Sequence, residues 1–544
     1  MVTNLIGRQL PTFQGLLNRS GLHRSRDKST LITLIASLMG VACVYIGTRA
    51  PGSLNALTPV VIVVGLALVV VCARSWEFGV KAILVVVILE GAVRKWFLPS
   101  ATELVYFYKD VLMAATLIGY LRKRRKTPFV IKRRLRVVLI MVGAFLLCCV
   151  VSLGMPAGPH PLIGLLGLKA YCLYIPLAFI TVRAFPDKER LIGFLKWYVL
   201  IILPVAIIGI MQFLDRGQES TLNRYAVGEE SAARIVDIAK FSTASGSYFV
   251  RITGTFSYVT GLTIYLPIMF AMLLALTSLY SRRGGLSRGL KILYYSALGA
   301  SVVACFMTGS RGGVLSMVMI ALVFYLFTSG RQAIRRIQQI TIVGVIVFVA
   351  FTSFFPQAYD AFYNRTFGTA DRVNEGWERM AASLSLPINE ASYAGLFGYG
   401  IGLTQNGVPA LMKRLDLADQ GTPIPIGYEG ESGRVTLELG VIGFVLHTLL
   451  RLVLLITVCR LAFAIRDRES KILAFAATAA LVMPLVVGGA VANHTQNVYQ
   501  WFLVGIVFAL YNAERLQRRV AQSTAFQLTP NIARVEVVPS TPTL

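Results

Sequence analysis

Two arginine-centred segments and one acidic segment carry most of the chemistry legible in this chain. Arg251 stands in Arg251-Ile-Thr-Gly-Thr-Phe256, and Arg311 in Met307-Thr-Gly-Ser-Arg-Gly-Gly313. Both arginines are flanked by glycine and hydroxyl residues, so the backbone can approach a ligand while a guanidinium fork and peptide N–H groups point at it. That combination suits a diphosphate. At a membrane rim the same arginines have a plainer use, snorkelling to lipid headgroups. The acidic segment is Tyr428-Glu-Gly-Glu-Ser-Gly-Arg434, followed by Val435-Thr-Leu-Glu-Leu-Gly-Val-Ile-Gly443. Glu429 and Glu431 are expected at the membrane rim beside Arg434, where partial desolvation suits a carboxylate to serve as general base toward a sugar hydroxyl. Their alternative role is an ion pair that orders the loop. Glu438, a turn inside the apolar stretch, has to face protein, a cavity or a cation.

Other charged positions supplement this set. Lys169, in Gly164-Leu-Leu-Gly-Leu-Lys-Ala-Tyr171, is either the partner of a buried acid or part of an anion site, and Lys413 and Arg414 lie in a short helix expected over residues 408–416. His494, in Asn493-His-Thr-Gln-Asn497, belongs to the last loop on the same face; a lone histidine is commonly a satisfied polar residue. The runs Glu90-Gly-Ala-Val-Arg-Lys-Trp96 and Tyr106-Phe-Tyr-Lys-Asp110 pair opposite charges and read as an internal salt-bridge network. The sequence contains no His or Cys spacing suited to a metal, no Walker lysine and no dinucleotide fingerprint, so neither metal nor cofactor is expected.

Composition fixes what must position these residues. With 56% hydrophobic and 15% charged residues among 544, and a mean hydropathy of +0.67, the chain has too little polar surface to cover a water-soluble core. Apolar stretches long enough to cross the hydrocarbon recur about fourteen times. They begin near Leu31, Ala56, Gly79, Leu104, Val137, Leu162, Leu191, Gly254, Ile292, Gly313, Ile340, Val435, Ile472 and Val498. Continuous runs without strand alternation predict an all-α polytopic membrane protein. Lys and Arg cluster in alternate loops, at residues 122–136, 183–190, 282–291, 331–336, 460–471 and 515–519, so the positive-inside rule puts these and both termini in the cytoplasm. The net charge of +27 is then a topology signal and an affinity for anionic lipid, not a nucleic-acid footprint.

The expected organisation is a cytoplasmic tail over residues 1–30, an N-terminal bundle over 31–213, a first long external loop over 214–252, a central bundle over 253–356, a second long loop over 357–434 carrying the catalytic groups, a C-terminal bundle over 435–513, and a largely disordered cytoplasmic tail over 514–544. Nothing in the first thirty residues reads as a removable signal peptide, so the first span is expected to stay as an anchor. Short helices are expected over 230–241 and 364–384 inside the two long loops. The seven cysteines fall in or beside predicted spans, which supports no disulfide framework.

In order along the chain, Arg251-x-x-Gly-x-Phe256, Thr308-Gly-Ser-Arg-Gly-Gly313, a long loop with Phe397-Gly-Tyr-Gly-x-Gly402, and the Glu-Leu-Gly-Val-Ile-Gly443 entry resemble the O-antigen ligase and Wzy polymerase superfamily of bacterial envelope glycosyltransferases. The resemblance covers about residues 137–512, with its specific motifs in the second half. It implies a GT-C-like, metal-independent, inverting transfer of glycan from an undecaprenyl-diphosphate carrier on the periplasmic face of the inner membrane. Arg311 and Arg251 would then offset the charge growing on the diphosphate, with Arg434, Lys413 and Arg414 in support, and Glu431 or Glu429 would deprotonate the acceptor. Ligases of this superfamily carry a His-rich element where this chain has Glu429-Gly-Glu-Ser432, which favours polymerisation of repeat units for exopolysaccharide or lipopolysaccharide over ligation to a lipid core. A chain-length regulator and export machinery are the implied partners besides the lipid-linked glycan and membrane lipids. Ligase-type transfer and a lipid-linked oligosaccharide flippase are the alternatives.

Overall fold

The computed structural model describes residues 58–98, 102–123, 133–155, 160–215, 220–226, 240–243, 246, 248–283, 287–330, 333–368, 378, 381, 385, 387–405, 407–417 and 430–532. Helices dominate, as backbone groups inside lipid require. The N-terminal half contains α1 (Thr58–Arg74), α2 (Trp76–Ala92, continued by a π-helical turn Val93–Phe97), α3 (Thr102–Arg122), α4 (Arg136–Ser152), α5 (Pro161–Cys172), α6 (Ile175–Ala184), α7 (Lys188–Tyr198) and α8 (Ile202–Asp215). A short antiparallel pair follows, β1 (Lys240–Ser242) with β2 (Tyr248–Val250), in the register Phe241 to Phe249. Then come α9 (Val259–Arg283), α10 (Arg288–Met307), α11 (Arg311–Ser329), α12 (Ala333–Phe354), α13 (Pro356–Phe367), α14 (Val408–Arg414), α15 (Glu431–Ala464), α16 (Arg468–Val487) and α17 (His494–Ile532).

Six of these stretches are long and apolar enough to cross a bilayer: Lys188–Asp215, Val259–Ser281, Arg288–Met307, Arg311–Thr328, Glu431–Ala464 and Arg468–Val487. The number rises to eight if two bent pairs each count as one span, α5 with α6 at 43° and residues Gly344–Phe354 with α13 at 108°. The chain is thus a multi-pass, all-α membrane protein. The expected starts at Gly79, Leu104, Val137 and Val498 also fall on helices, and Thr58–Arg74 follows the start at Ala56, although these helices are shorter or less apolar; the starts at Leu31 and Ala56 themselves lie outside the described residues.

Local expectations fared unevenly. The helix expected over 408–416 is present as α14. Residues 240–242 form a strand paired in antiparallel register with β2, where an amphipathic helix is expected to end at residue 241; residues 230–239 lie outside the described set. The helix sought over 364–384 is represented by the end of α13, and most of its remainder lies outside the described residues. The tail expected to be irregular is helical as far as Ile532, since α17 continues past the last apolar turn with Glu514 paired to Arg518 one turn on.

Contacts sort the helix ends into two sets. At one end Lys188 pairs with Asp467 (3.0 Å) and Glu469 (3.1 Å), Lys123 reaches the Arg74 carbonyl, and the Arg466 N–H donates to Glu514. These are the basic connections of the sequence. At the other end the turn after β2, the start of α3, the start of α15 and the 488–494 turn meet, and this is where the candidate chemistry gathers.

The element that shapes this second end is α15, which is folded back on itself. Glu431 and Arg451 are twenty residues apart and would be separated by about 30 Å along a straight helix, yet their side chains approach to 3.5 Å. The reversal occurs at Gly440, whose φ of 69° and ψ of −173° lie in a region essentially reserved for glycine. A broken helix exposes orphan carbonyls on one arm and orphan N–H groups on the other. Here the Gly-rich turn supplies both sets of partners: Tyr399 N and Gly400 N donate to Leu437 O and Glu438 O (2.8 and 3.1 Å), while Val441 N and Ile442 N donate to Gly395 O and Leu396 O (3.1 and 3.2 Å). Irregular backbone of this kind is tolerated at membrane depth where protein buries it.

Candidate functional site

The arm of α15 before the break carries Glu431 into the bundle. Its side chain is 1% exposed, and the first residue of the helix is thereby placed against the turn between α16 and α17. Oε2 accepts hydrogen bonds from Gly489 N (2.8 Å) and Val491 N (2.7 Å). Oε1 faces Arg451 Nη1 at 3.5 Å and His447 Nε2 at 3.9 Å. Arg451 is oriented by a second bond, Nε to Leu485 O at 2.8 Å, and the His447 ring packs between Phe145 (5.4 Å between centroids) and Tyr171 (6.4 Å). A small cavity of about 20 Å³, room for a water molecule, adjoins this group; Phe145, Tyr171, His447, Arg451, Gln500 and Trp501 line it, together with Val491.

This arrangement corrects the expectation of a rim carboxylate beside Arg434. Glu431 is interior and takes Arg451 as its cation, because folding at Gly440 turns the first arm inward. Arg434, itself buried, donates instead from Nη1 to Thr404 O at 2.7 Å. Glu438 is also buried, with Oε1 accepting from Thr404 N (2.8 Å) and Thr404 Oγ1 (2.6 Å), so of its three possible settings it has protein. It fixes the Gly-rich turn to the broken helix. Glu429 and the side chain of Arg414 lie outside the described residues, and Lys413 is exposed on α14.

The two arginine segments do meet. Arg251 is buried and donates from Nε to Thr308 O at 2.8 Å, joining the turn after β2 to the turn before α11. Arg311 is the first residue of α11, half-buried, behind Gly309 at φ 63°. The turn of Arg251 is further held by Lys95, whose Nζ donates to Thr253 Oγ1 (2.9 Å) and Gly254 O (2.6 Å), by Gln212 Oε1 accepting from Thr253 N and Gly254 N, and by Arg94 Nη1 donating to Ser257 Oγ (2.9 Å).

Lys169 and His494 fall in the neighbouring network expected from the sequence. Lys169 pairs with Asp110 (2.7 Å), Lys109 with Glu90 (2.6 Å), and Arg94 with Glu90 (3.7 Å). Lys109 and Lys169 both sit 4.4 Å from the Tyr106 ring centre, and the Tyr106 hydroxyl is bonded to His494 Nε2. The 488–494 turn links the three parts: its backbone binds Glu431, Asn493 donates to Thr260 just beyond the Arg251 turn, and His494 closes on Tyr106. Arg251 with Thr308, Glu431 with Arg451, and Lys169 with Asp110 are therefore three adjoining clusters at one end of the bundle. Lys413 stands apart on the exposed surface.

His447, Arg451 and Gln500 were not among the sequence candidates. A signal existed: His447 and Arg451 are four residues apart inside an apolar run, hence on one face, and an intramembrane arginine is by default functional or paired. Among the described residues no group of His, Cys, Asp and Glu is disposed to hold a metal ion. Compared with known proteins, the chain matches no family model and no curated sequence.

Proposed function

We propose that the protein is a glycosyltransferase of the bacterial inner membrane, a Wzy-type polymerase with about fourteen spans, both termini cytoplasmic and its site facing the periplasm. It transfers undecaprenyl-diphosphate-linked oligosaccharide to an acceptor sugar hydroxyl with inversion. The observation that carries this reading is the bond between Arg251 and Thr308, which unites the two diphosphate-suited segments at the same end of the bundle as Glu431. The α11 N-terminus beside Arg311 adds peptide N–H groups without intrahelical partners and a favourable dipole for an anion.

In the reaction the acceptor hydroxyl gives its proton to Glu431 as its oxygen bonds to the anomeric carbon. The anomeric C–O bond breaks and its electron pair leaves with the diphosphate, whose charge Arg251 and Arg311 offset. Since Oε2 of Glu431 is occupied by two peptide N–H groups, Oε1 is the oxygen that takes the proton. Purified protein in lipid, given undecaprenyl-diphosphate-linked repeat units, is expected to yield a ladder of glycan lengths that Arg311→Ala and Glu431→Gln abolish. A full ladder from variants that insert normally would overturn the assignment.

One observation favours the flippase reading instead: α15 is discontinuous, and transporters use broken helices at their binding sites. Movement of single units between leaflets with no ladder would decide for it.

A further inference from the structure

We propose that Lys95 is a positioning residue of the anion site, an ammonium held behind the turn that begins at Arg251 and acting on a bound diphosphate through that turn without touching it. The inference rests on the diphosphate reading of the Arg251 and Arg311 segments. Lys95 lies in the π-helical turn Val93–Phe97 at the end of α2 and is 1% exposed. Its Nζ donates to Thr253 Oγ1 (2.9 Å) and Gly254 O (2.6 Å) and sits 4.6 Å from the centre of the Trp96 ring. Helix and turn meet at backbone level, since a Cβ on Gly91 would lie 2.1 Å from Ser257 N and 2.5 Å from Thr255 O.

Two observations separate the charge of Lys95 from its hydrogen bonds. The bonds are duplicated: Gln212 Nε2 lies 3.4 Å from Thr253 Oγ1 and 3.3 Å from Gly254 O, the same two acceptors, while Gln212 Oε1 accepts from the peptide N–H groups of both residues at 3.0 and 2.8 Å. A neutral amide thus already clamps the turn, and what an ammonium adds is charge. That charge, in turn, has no acid of its own among the described residues. The carboxylates of the neighbouring network are engaged by other cations, Glu90 by Lys109 and Arg94, and Asp110 by Lys169, whereas Lys95 meets a hydroxyl, a carbonyl and a ring. Burying an ammonium without an anion is costly, and the Trp96 face offsets only part of the cost. A phosphate group held by Arg251 and Arg311 supplies the counter-ion across one turn of backbone, since buried charges are weakly screened.

Lys95→Met and Gln212→Met divide the two roles. Full-length protein in nanodiscs is titrated calorimetrically with inorganic pyrophosphate and with inorganic orthophosphate, and melting midpoints are taken without ligand. Lys95→Met is expected to weaken pyrophosphate binding about tenfold and orthophosphate binding less, because orthophosphate carries less charge, and to hold or raise the midpoint, because apolar volume replaces a buried charge that has no acid. Gln212→Met is expected to lower the midpoint, since it takes the acceptor from two buried peptide N–H groups. An equal loss for both anions in Lys95→Met, or no loss, would overturn the inference. Should Lys95→Met melt lower, Lys95→Gln, which keeps a donor for Gly254 O, is the second variant; a lowered midpoint in both would make the bonds and not the charge the contribution of Lys95, and overturns the inference equally. Arg251→Ala and the ladder assay locate any failure. Pyrophosphate binding abolished by Arg251→Ala but untouched by Lys95→Met sinks the role of Lys95 and leaves the diphosphate site, and no binding by the unaltered protein sinks both. Binding that depends on Lys95 without a ladder sinks the transferase and leaves the anion site with its lysine.

Discussion

Replacing Gly440 by alanine tests the folded-back helix at its hinge. At φ 69° and ψ −173° a β-carbon is strained wherever it is placed, at a cost of about 1–3 kcal/mol. Space is also lacking: a Cβ on Gly440 would lie 2.5 Å from Gly398 N and closer still to Leu396 O, and one on Gly398 would lie 2.5 Å from Gly440 N. These neighbours are backbone, not flexible side chains, so relief requires parting the Gly-rich turn from α15 and losing some of the four hydrogen bonds described above. Overpacking of this kind adds about 1–3 kcal/mol. The total, about 2–6 kcal/mol, is a large part of a typical stability of about 5–15 kcal/mol. The control is Gly299→Ala in α10, where a Cβ meets nothing within 4 Å and alanine gains about 0.5–1 kcal/mol of helix preference. Melting midpoints of the purified proteins in one detergent, read by loss of the monodisperse peak on size-exclusion chromatography, are expected to fall by many degrees for Gly440→Ala and to hold or rise for Gly299→Ala. Equal midpoints for the two variants would refute the hinge, and with it the placement of Glu431 inside the bundle.

Two further predictions concern the charged clusters. Lys169→Met leaves the buried Asp110 carboxylate with only the Tyr174 hydroxyl (2.5 Å) and is expected to destabilise by about 3–5 kcal/mol; adding Asp110→Asn should recover much of the loss, and a double-mutant cycle on the melting midpoint that shows simple additivity would exclude the pairing. At the basic end, burial alone would raise the Asp467 carboxyl, but hydrogen bonds from Ser470 and the Lys188 ammonium hold it below its ordinary value of 3.8. A lowered native value contributes stability that is complete above the unfolded pKa and is lost as the pH falls through the native one. Asp467→Asn should therefore lower the melting midpoint at pH 7 and flatten its decline below about pH 4, and an unchanged acid limb would count against the contact.

What could be read from the sequence follows the range of the forces involved. Apolar runs are a local signal, and they located helices along the described part of the chain. The Glu90, Arg94, Lys109 and Asp110 network was legible because opposite charges one or two helices apart in sequence have few other partners in lipid. The position of Glu431 was not. It depends on whether Gly440 continues a helix or reverses it, and a lone glycine inside an apolar run is compatible with both. Only the Gly-rich turn some forty residues earlier decides the matter, by capping both arms, and that pairing has no periodicity to betray it. Arg451 went unremarked for a related reason: in a straight span it would lie deep and alone, and its carboxylate partner appears only once the chain has turned back.

The folded-back arm also gives a reason for a carboxylate to be buried at this point. A glutamate on an exposed loop would be solvated and oriented loosely, whereas Glu431 has one oxygen fixed by Gly489 and Val491 and the other directed to Arg451 and His447. Its own helix does not determine its direction; the 488–494 turn does, and the same turn touches Thr260 and Tyr106. The Arg251 turn and the Tyr106 and Lys169 cluster therefore both adjoin the backbone that binds the carboxylate. Under the proposed transfer, in which a base must act on one hydroxyl among several, a turn shared with the anion-suited segments would hold the two at a fixed spacing.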